Sequence, residues 1–125
     1  MNNRYEFRVW DNISEYYFIP CKIDLIKNVV YEERGLGCDG QSLFRKHMFK
    51  DVVFEQWTGL LDKNGKKIFE GDTVKWFNRY NNVWYSKEVI YDSDFACFTI
   101  KGDIIDWVNM GEHLEIIGNK HEGVK

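Results

Sequence analysis

The side chains with chemical reach in this sequence are three histidines, three cysteines and a scatter of carboxylates, and their spacing decides what they can do. His47, His113 and His121 lie far apart, and none pairs closely with another His or Cys. A zinc site would need four ligands gathered from distant segments, so no metal is expected. Asp92-Ser93-Asp94 sets two carboxylates on one side of a turn but lacks the glycine and terminal glutamate of a calcium loop, and it reads as a solvated hairpin turn. Ser42 and Thr58 carry hydroxyls, yet no GxSxG elbow surrounds either; helix capping for Ser42 and turn formation for Thr58 are the simpler roles. The run Gly35-Leu36-Gly37-Cys38-Asp39-Gly40 shares only its glycine content with a phosphate-gripping loop, having no Lys-Ser/Thr ending. No catalytic residue, metal or cofactor is therefore assigned. An enzyme would require a deep pocket gathering Asp39, His47 or Asp72. Cys21, Cys38 and Cys97 are odd in number and widely spaced, as expected of reduced thiols.

The most function-like cluster is the aromatic and basic run from Lys75 to Lys87, which holds Trp76, Phe77, Arg79, Tyr80, Trp84 and Tyr85. Aromatic faces can stack on unpaired bases while Arg79 and Lys87 meet phosphates, as small barrels do when they bind single strands. On alternating strands, however, about half of these rings must be core, and Trp76 shares an interior face with Val74. The candidate binding residues are Trp76, Arg79, Tyr80, Trp84, Tyr85 and Lys87.

The elements that must hold this run are strands. Ile and Val outnumber Leu, Ala96 is the single alanine, and 17% of the chain is aromatic, a composition suited to pleated strands. Strands are predicted over Tyr5 to Trp10, Ser14 to Ile19, Val52 to Trp57, Ile68-Phe69, Thr73 to Phe77, Val83 to Tyr91, Phe95 to Lys101, Ile104 to Val108 and Leu114 to Ile117. Ile23 to Glu33 is strand-like, with Lys27-Asn28 either a turn or part of one long strand. Residues Gly35 to Gly40 are expected to form an exposed loop. Leu43, Phe44 and Met48 are spaced to share a helical face, so Ser42 to Phe49 is predicted to be a short helix, the only one. Asn64-Gly65 is expected to supply the positive φ angles of a tight hairpin turn. Gly71 is expected at φ > 0, with Asp72 accepting backbone N–H groups of the bend between Glu70 and Thr73. Short strands at these intervals suggest a closed or nearly closed small barrel.

At 125 residues, net charge -3 and pI near 5.6, the chain is a globular domain with no electrostatic signature for wholesale attachment to nucleic acid or anionic membrane. Met1-Asn2-Asn3-Arg4 lacks the apolar core of a signal peptide and no apolar stretch nears the length of a membrane span, so a cytoplasmic location and no membrane partner are expected.

The segment TGLLDKNGKKIFEGDTV, Thr58 to Val74, closely resembles the central motif of the YopX family, small proteins typical of phages and prophages. FRVWD, Phe7 to Asp11, is similar to that family's opening, and LEIIGNKHE, Leu114 to Glu122, to its close; between Tyr17 and Val53 there is no comparable match. The motif residues are Thr58, Gly59, Asn64, Gly65, Glu70, Gly71 and Asp72. Trp57 stands where the family favours Tyr or Phe, His121 where it favours Tyr, and Gly123 where Asn-Pro is usual. Beside the N-terminal β region over 1–51, with its variable loop and the short helix read from spacing above, the resemblance implies a mainly β fold. It further implies an SH3-like small barrel over 52–125, the two regions being separate or one compact unit. It also implies phage or prophage origin and a possible homo-oligomer, but no particular activity. The expected function is a non-enzymatic protein-interaction or assembly module whose partner is a second copy, a host protein or a phage protein; the alternative is a single-stranded nucleic-acid-binding barrel.

Overall fold

The computed structural model describes residues 6–94, 97–100 and 113–122. They are mainly β, in two compact units that divide between Glu55 and Gln56. The predicted strand Ile104 to Val108 lies outside the described residues, as do Tyr5, Phe95, Ala96, Lys101 and Gly123.

In the N-terminal unit, β1 (Phe7–Asp11) and β2 (Tyr16–Phe18) form an antiparallel hairpin with Val9 opposite Phe18. Its turn is set by Asp11, whose carboxylate accepts the Ile13 N–H while its carbonyl accepts that of Glu15. The second sheet has the order β3-β4-β5, with β3 at Lys22–Asp24, β4 at Val29–Leu36 and β5 at Ser42–Met48. Lys27-Asn28 is a turn, because the Asp24 carboxylate takes the N–H groups of Ile26 and Lys27 and Asn28 adopts φ 56°. Of the expected loop Gly35 to Gly40, Gly35 and Leu36 instead end strand β4, Leu36 pairing with Ser42, and the turn is confined to 37–40; Gly37 is half-buried, the rest exposed, and Gly40 has φ 80°. A core of Val9, Phe18, Val30 and Val52 is joined by Tyr16, Phe49 and Phe54.

The predicted helix is absent: Ser42 to Met48 is strand β5, followed by a three-residue 3-10 turn, Phe49–Asp51. Ser42 consequently caps nothing; it pairs with Leu36 and its hydroxyl donates to Glu33. The Leu43, Phe44 and Met48 spacing misled because these side chains are exposed, whereas His47, paired with Val30, is the buried one. Pairing with β4 overrode the local pattern.

β6 is Val52–Leu61, and within the C-terminal unit its later part pairs with β7 (Lys67–Phe69), Trp57 opposite Phe69. The C-terminal unit adds β8 (Asp72–Asn78), β9 (Val83–Asp92), β10 (Cys97–Ile100) and β11 (Glu115–Asn119), in the sheet order β10-β9-β8-β11, all antiparallel and curled like half a barrel. Ile68, Val74, Trp76, Val89, Ile100 and Leu114 form its core. No helix among the described residues is long and apolar enough to cross a membrane.

Candidate interaction surface

In the family-like motif the polar side chains bind backbone groups of the turn and its neighbours. The turn between β6 and β7 differs from the expected two-residue type: only Gly65, at φ 79°, is left-handed, and Asn64 is not. The Gly65 N–H reaches the Asp62 carbonyl at 3.0 Å, a one-turn loop closed by a glycine bulge. Asp62 explains the choice. Its buried carboxylate accepts the N–H groups of Asn64 and Lys66, both at 2.9 Å, and from its other oxygen that of Ile116 at 3.2 Å, tying the turn to β11. Thr58 donates its hydroxyl to the Ile68 carbonyl at 2.7 Å across a bulge where Gly59 has φ 90°. Glu70 accepts the Gln56 N–H, Gly71 has φ 90°, and the buried Asp72 carboxylate takes the Phe69 N–H at 2.8 Å. Gly71 has the expected positive φ, and the backbone N–H that Asp72 accepts, from Phe69, lies just ahead of the bend.

The N-terminal unit buries a second polar cluster. His47, 6% exposed, stacks on Phe18 and sets its two ring nitrogens against carboxylates: Nε2 at 3.1 Å from Glu32 and Nδ1 at 3.6 Å from Asp11. The Tyr16 hydroxyl donates to the same Glu32 oxygen, and Arg34 lies 3.4 Å from the other. Burial alone would push the Glu32 carboxyl up, but the hydrogen bonds from Tyr16 and His47 and the Arg34 guanidinium outweigh it and hold the group below the usual carboxylate range. Burial, with the hydrogen bond to Glu32, pushes the Tyr16 hydroxyl up. Nearby, Glu55, fully buried, receives Arg8 at 2.7 Å and the Tyr17 hydroxyl at 2.9 Å. Asp39 instead sits in the exposed β4–β5 turn and accepts the Gln41 N–H. Asp39, His47 and Asp72 are thus each engaged by their own surroundings. No group of His, Cys, Asp and Glu fit to hold a metal occurs among the described residues, and Cys21, Cys38 and Cys97 are free thiols. Asp92 accepts the Asp94 N–H, as a solvated turn does.

The aromatic and basic run forms the β8–β9 hairpin, and strand alternation splits it. Trp76 and Tyr85 are paired across the strands and stack at 5.7 Å; Trp76, 6% exposed, is core, and Tyr85 receives a hydrogen bond from Asn81. Lys87 is exposed opposite Val74. On the other face Phe77 and Trp84 are paired 5.3 Å apart, 41% and 59% exposed, with the Lys75 ammonium 5.2 Å over the Trp84 ring. Lys75 also meets Glu115 at 3.1 Å. The turn presents Arg79 and a fully exposed Tyr80, its shape set by Asn78 and Asn81 carboxamides that accept the N–H groups of Tyr80 and Val83. Of the six predicted binding residues, Arg79, Tyr80, Trp84 and Lys87 are thus exposed, Tyr85 is half-buried and Trp76 is buried. Phe77 and Lys75 join Trp84 on its face. Strand alternation separates Trp76 from Phe77, but the pairing of Phe77 with Trp84 depends on a turn over Arg79 to Asn82, one residue shorter than the polar run Asn78 to Asn82 suggests.

Among solved structures, the chain is similar to that of protein EF1440 from Enterococcus faecalis, with a TM-score of 0.64 and 23% identity over 94% of this chain and 93% of that one, a likeness of fold. No curated protein matches the sequence. The family model described as YopX protein matches residues 6–124, nearly the whole length, and the chain belongs to the YopX family.

Proposed function

We propose that this chain is a non-enzymatic protein-interaction or assembly module whose C-terminal unit is an SH3-like small barrel and whose β8–β9 hairpin carries the contact surface. The setting is that of a phage- or prophage-encoded protein in the host cytoplasm. The observation behind this reading is the exposed Phe77–Trp84 pair, continued at the turn by Tyr80 and Val83. Beyond their cross-strand contact, Phe77 and Trp84 stay largely in water with Tyr80 and Val83 on one ordered hairpin, and amphipathic rings of this kind anchor protein interfaces. Polar clusters elsewhere are satisfied internally, which supports binding over catalysis.

A second reading has its own observation: residues 75–87 carry Lys75, Arg79 and Lys87 and no acid. Exposed rings beside such cations suit the bases and phosphates of a single strand. The net charge of -3 weighs against it.

One experiment separates the two. Purified protein is passed through size-exclusion chromatography with light scattering and 260/280 nm detection at low and high salt, beside a Tyr80→Ser/Trp84→Ser variant. The expected result is a homo-oligomer or a co-purifying protein, lost in the variant while its melting temperature holds. A salt-labile 260 nm excess would replace this reading with the second; a monomer alone, identical in both proteins, would refute both.

A further inference from the structure

The edge of the N-terminal sheet carries a second surface, independent of the hairpin. β5 is the edge strand of the order β3-β4-β5, and it is exposed along its length apart from His47. Alternation places Phe44, Lys46 and Met48 on one face and Arg45 and His47 on the other. Phe44 is 58% exposed and Leu43 50%. Among the described residues no ion pair engages Arg45 or Lys46, because Glu32, the residue opposite Arg45, is already taken by Tyr16, His47 and Arg34. An edge strand displays unpaired backbone donors and acceptors, and a lysine on it discourages pairing with arbitrary strands. Here the strand is also held in place: His47 fixes it through Glu32, Asp11 and the stacked Phe18 ring. A partner would therefore meet an ordered template and lose little by docking.

We infer that β5 accepts an extended segment of another protein by β-strand addition, and that this segment carries adjacent acidic residues opposite Arg45 and Lys46 with an apolar residue beside them. Charge selects the occupant. A second copy pairing antiparallel about Arg45 would set Arg45 against its own counterpart, and pairing about the 45/46 midpoint would set Arg45 against Lys46 twice; like charges directly opposite destabilise a pair. An acidic strand reverses both terms, while the backbone supplies affinity and Phe44 an apolar contact.

The test selects a displayed library of random nine-residue peptides on the full chain. Enriched peptides are expected to contain an acidic pair flanked by apolar residues and to slow amide hydrogen exchange within β5. Their affinity should fall about tenfold or more in Arg45→Glu/Lys46→Glu. Arg45→Glu sets a carboxylate opposite Glu32 and is expected to lower the melting temperature, whereas Lys46→Gln, at an exposed position opposite Tyr31, should melt with the parent and serves as the control with a smaller loss of affinity expected. Tyr80→Ser/Trp84→Ser should bind the same peptides undiminished, so failure of the hairpin reading leaves this result readable. Peptides without acids, protection over residues 75–87 in place of β5, displacement by a uridine oligonucleotide, or dimerisation abolished by the charge reversal would each overturn the inference.

Discussion

Asp62→Ala removes the acceptor on which the β6–β7 turn and the β11 strand converge. Three N–H groups lose their partner: Asn64 and Lys66, both at exposed positions, and Ile116, which is half-buried. Water can replace the carboxylate at the first two, so each costs about 0.5–1 kcal/mol, while a donor left inside costs about 1–3 kcal/mol. The sum is about 3 kcal/mol. For a unit of this size 1 kcal/mol moves the melting temperature by about 4–8 °C, so a drop of more than about 10 °C is expected by differential scanning calorimetry. Asp62→Asn keeps one carbonyl oxygen for the turn but turns an NH2 toward the Ile116 N–H, and about half the loss should remain. Hydrogen exchange locates the effect: the Ile116 and Lys66 amides should lose protection first. An Asp62→Ala protein melting within about 3 °C of the parent would refute the assignment of Asp62 as the link between turn and strand. Equal losses in the two variants would show that charge, rather than the number of acceptors, matters.

Gly71→Val forces a β-branched side chain to φ 90°, a region costing about 1–3 kcal/mol, and the melting temperature should fall by roughly 5 °C or more; an unchanged melt would remove the need for glycine there. Glu32 supplies a pH dependence with a definite sign. Its carboxyl is held low in the fold, so below the ordinary glutamate range the unfolded chain takes up the proton more readily. Its contribution is therefore present above about pH 4.5 and is lost as pH falls through the folded value. Urea midpoints measured from pH 6 down to pH 3 should decline less steeply for Glu32→Gln than for the parent, and parallel curves would contradict this account.

What could be read from the sequence followed from local chemistry. The alternation in Phe7 to Asp11, the turn residues at Asp11 and Asp92, and the Gly71-Asp72 bend each depend on neighbours within about four positions, and the structure shows each of them. The halving of the aromatic run into core and surface was likewise expected from strand period, although which ring went where required the register of β8 against β9. Distant partners account for the rest. Glu55 finds Arg8 at a separation of 47 residues and Asp62 finds Ile116 at 54, so no local pattern marks either carboxylate as buried. β5 failed for the converse reason. Its apolar residues fit a helical face, but they are exposed, and the ladder with β4, with His47 buried against a glutamate 15 residues away, makes it a strand.

Both proposed surfaces obey one rule of composition. The segment 75–87 has three cations and no acid, and β5 has Arg45 and Lys46 and no acid, within a chain whose net charge is -3. The acids near each are already committed inward or along the sheet: Glu115 meets Lys75 and Lys63, and Glu32 meets the His47 cluster. Each surface therefore offers apolar side chains beside cations that nearby acids do not fully neutralise, against a negative background. At β5 such a layout repels a second copy, and at either surface it favours partners that place negative charge next to apolar or planar groups. Association with either surface should accordingly weaken as salt is raised, whereas a purely apolar contact would hold or strengthen. An affinity that stays flat from 50 to 500 mM NaCl for the β5 peptides would mean that backbone pairing and Phe44 suffice, and that the cations serve only to keep the edge soluble.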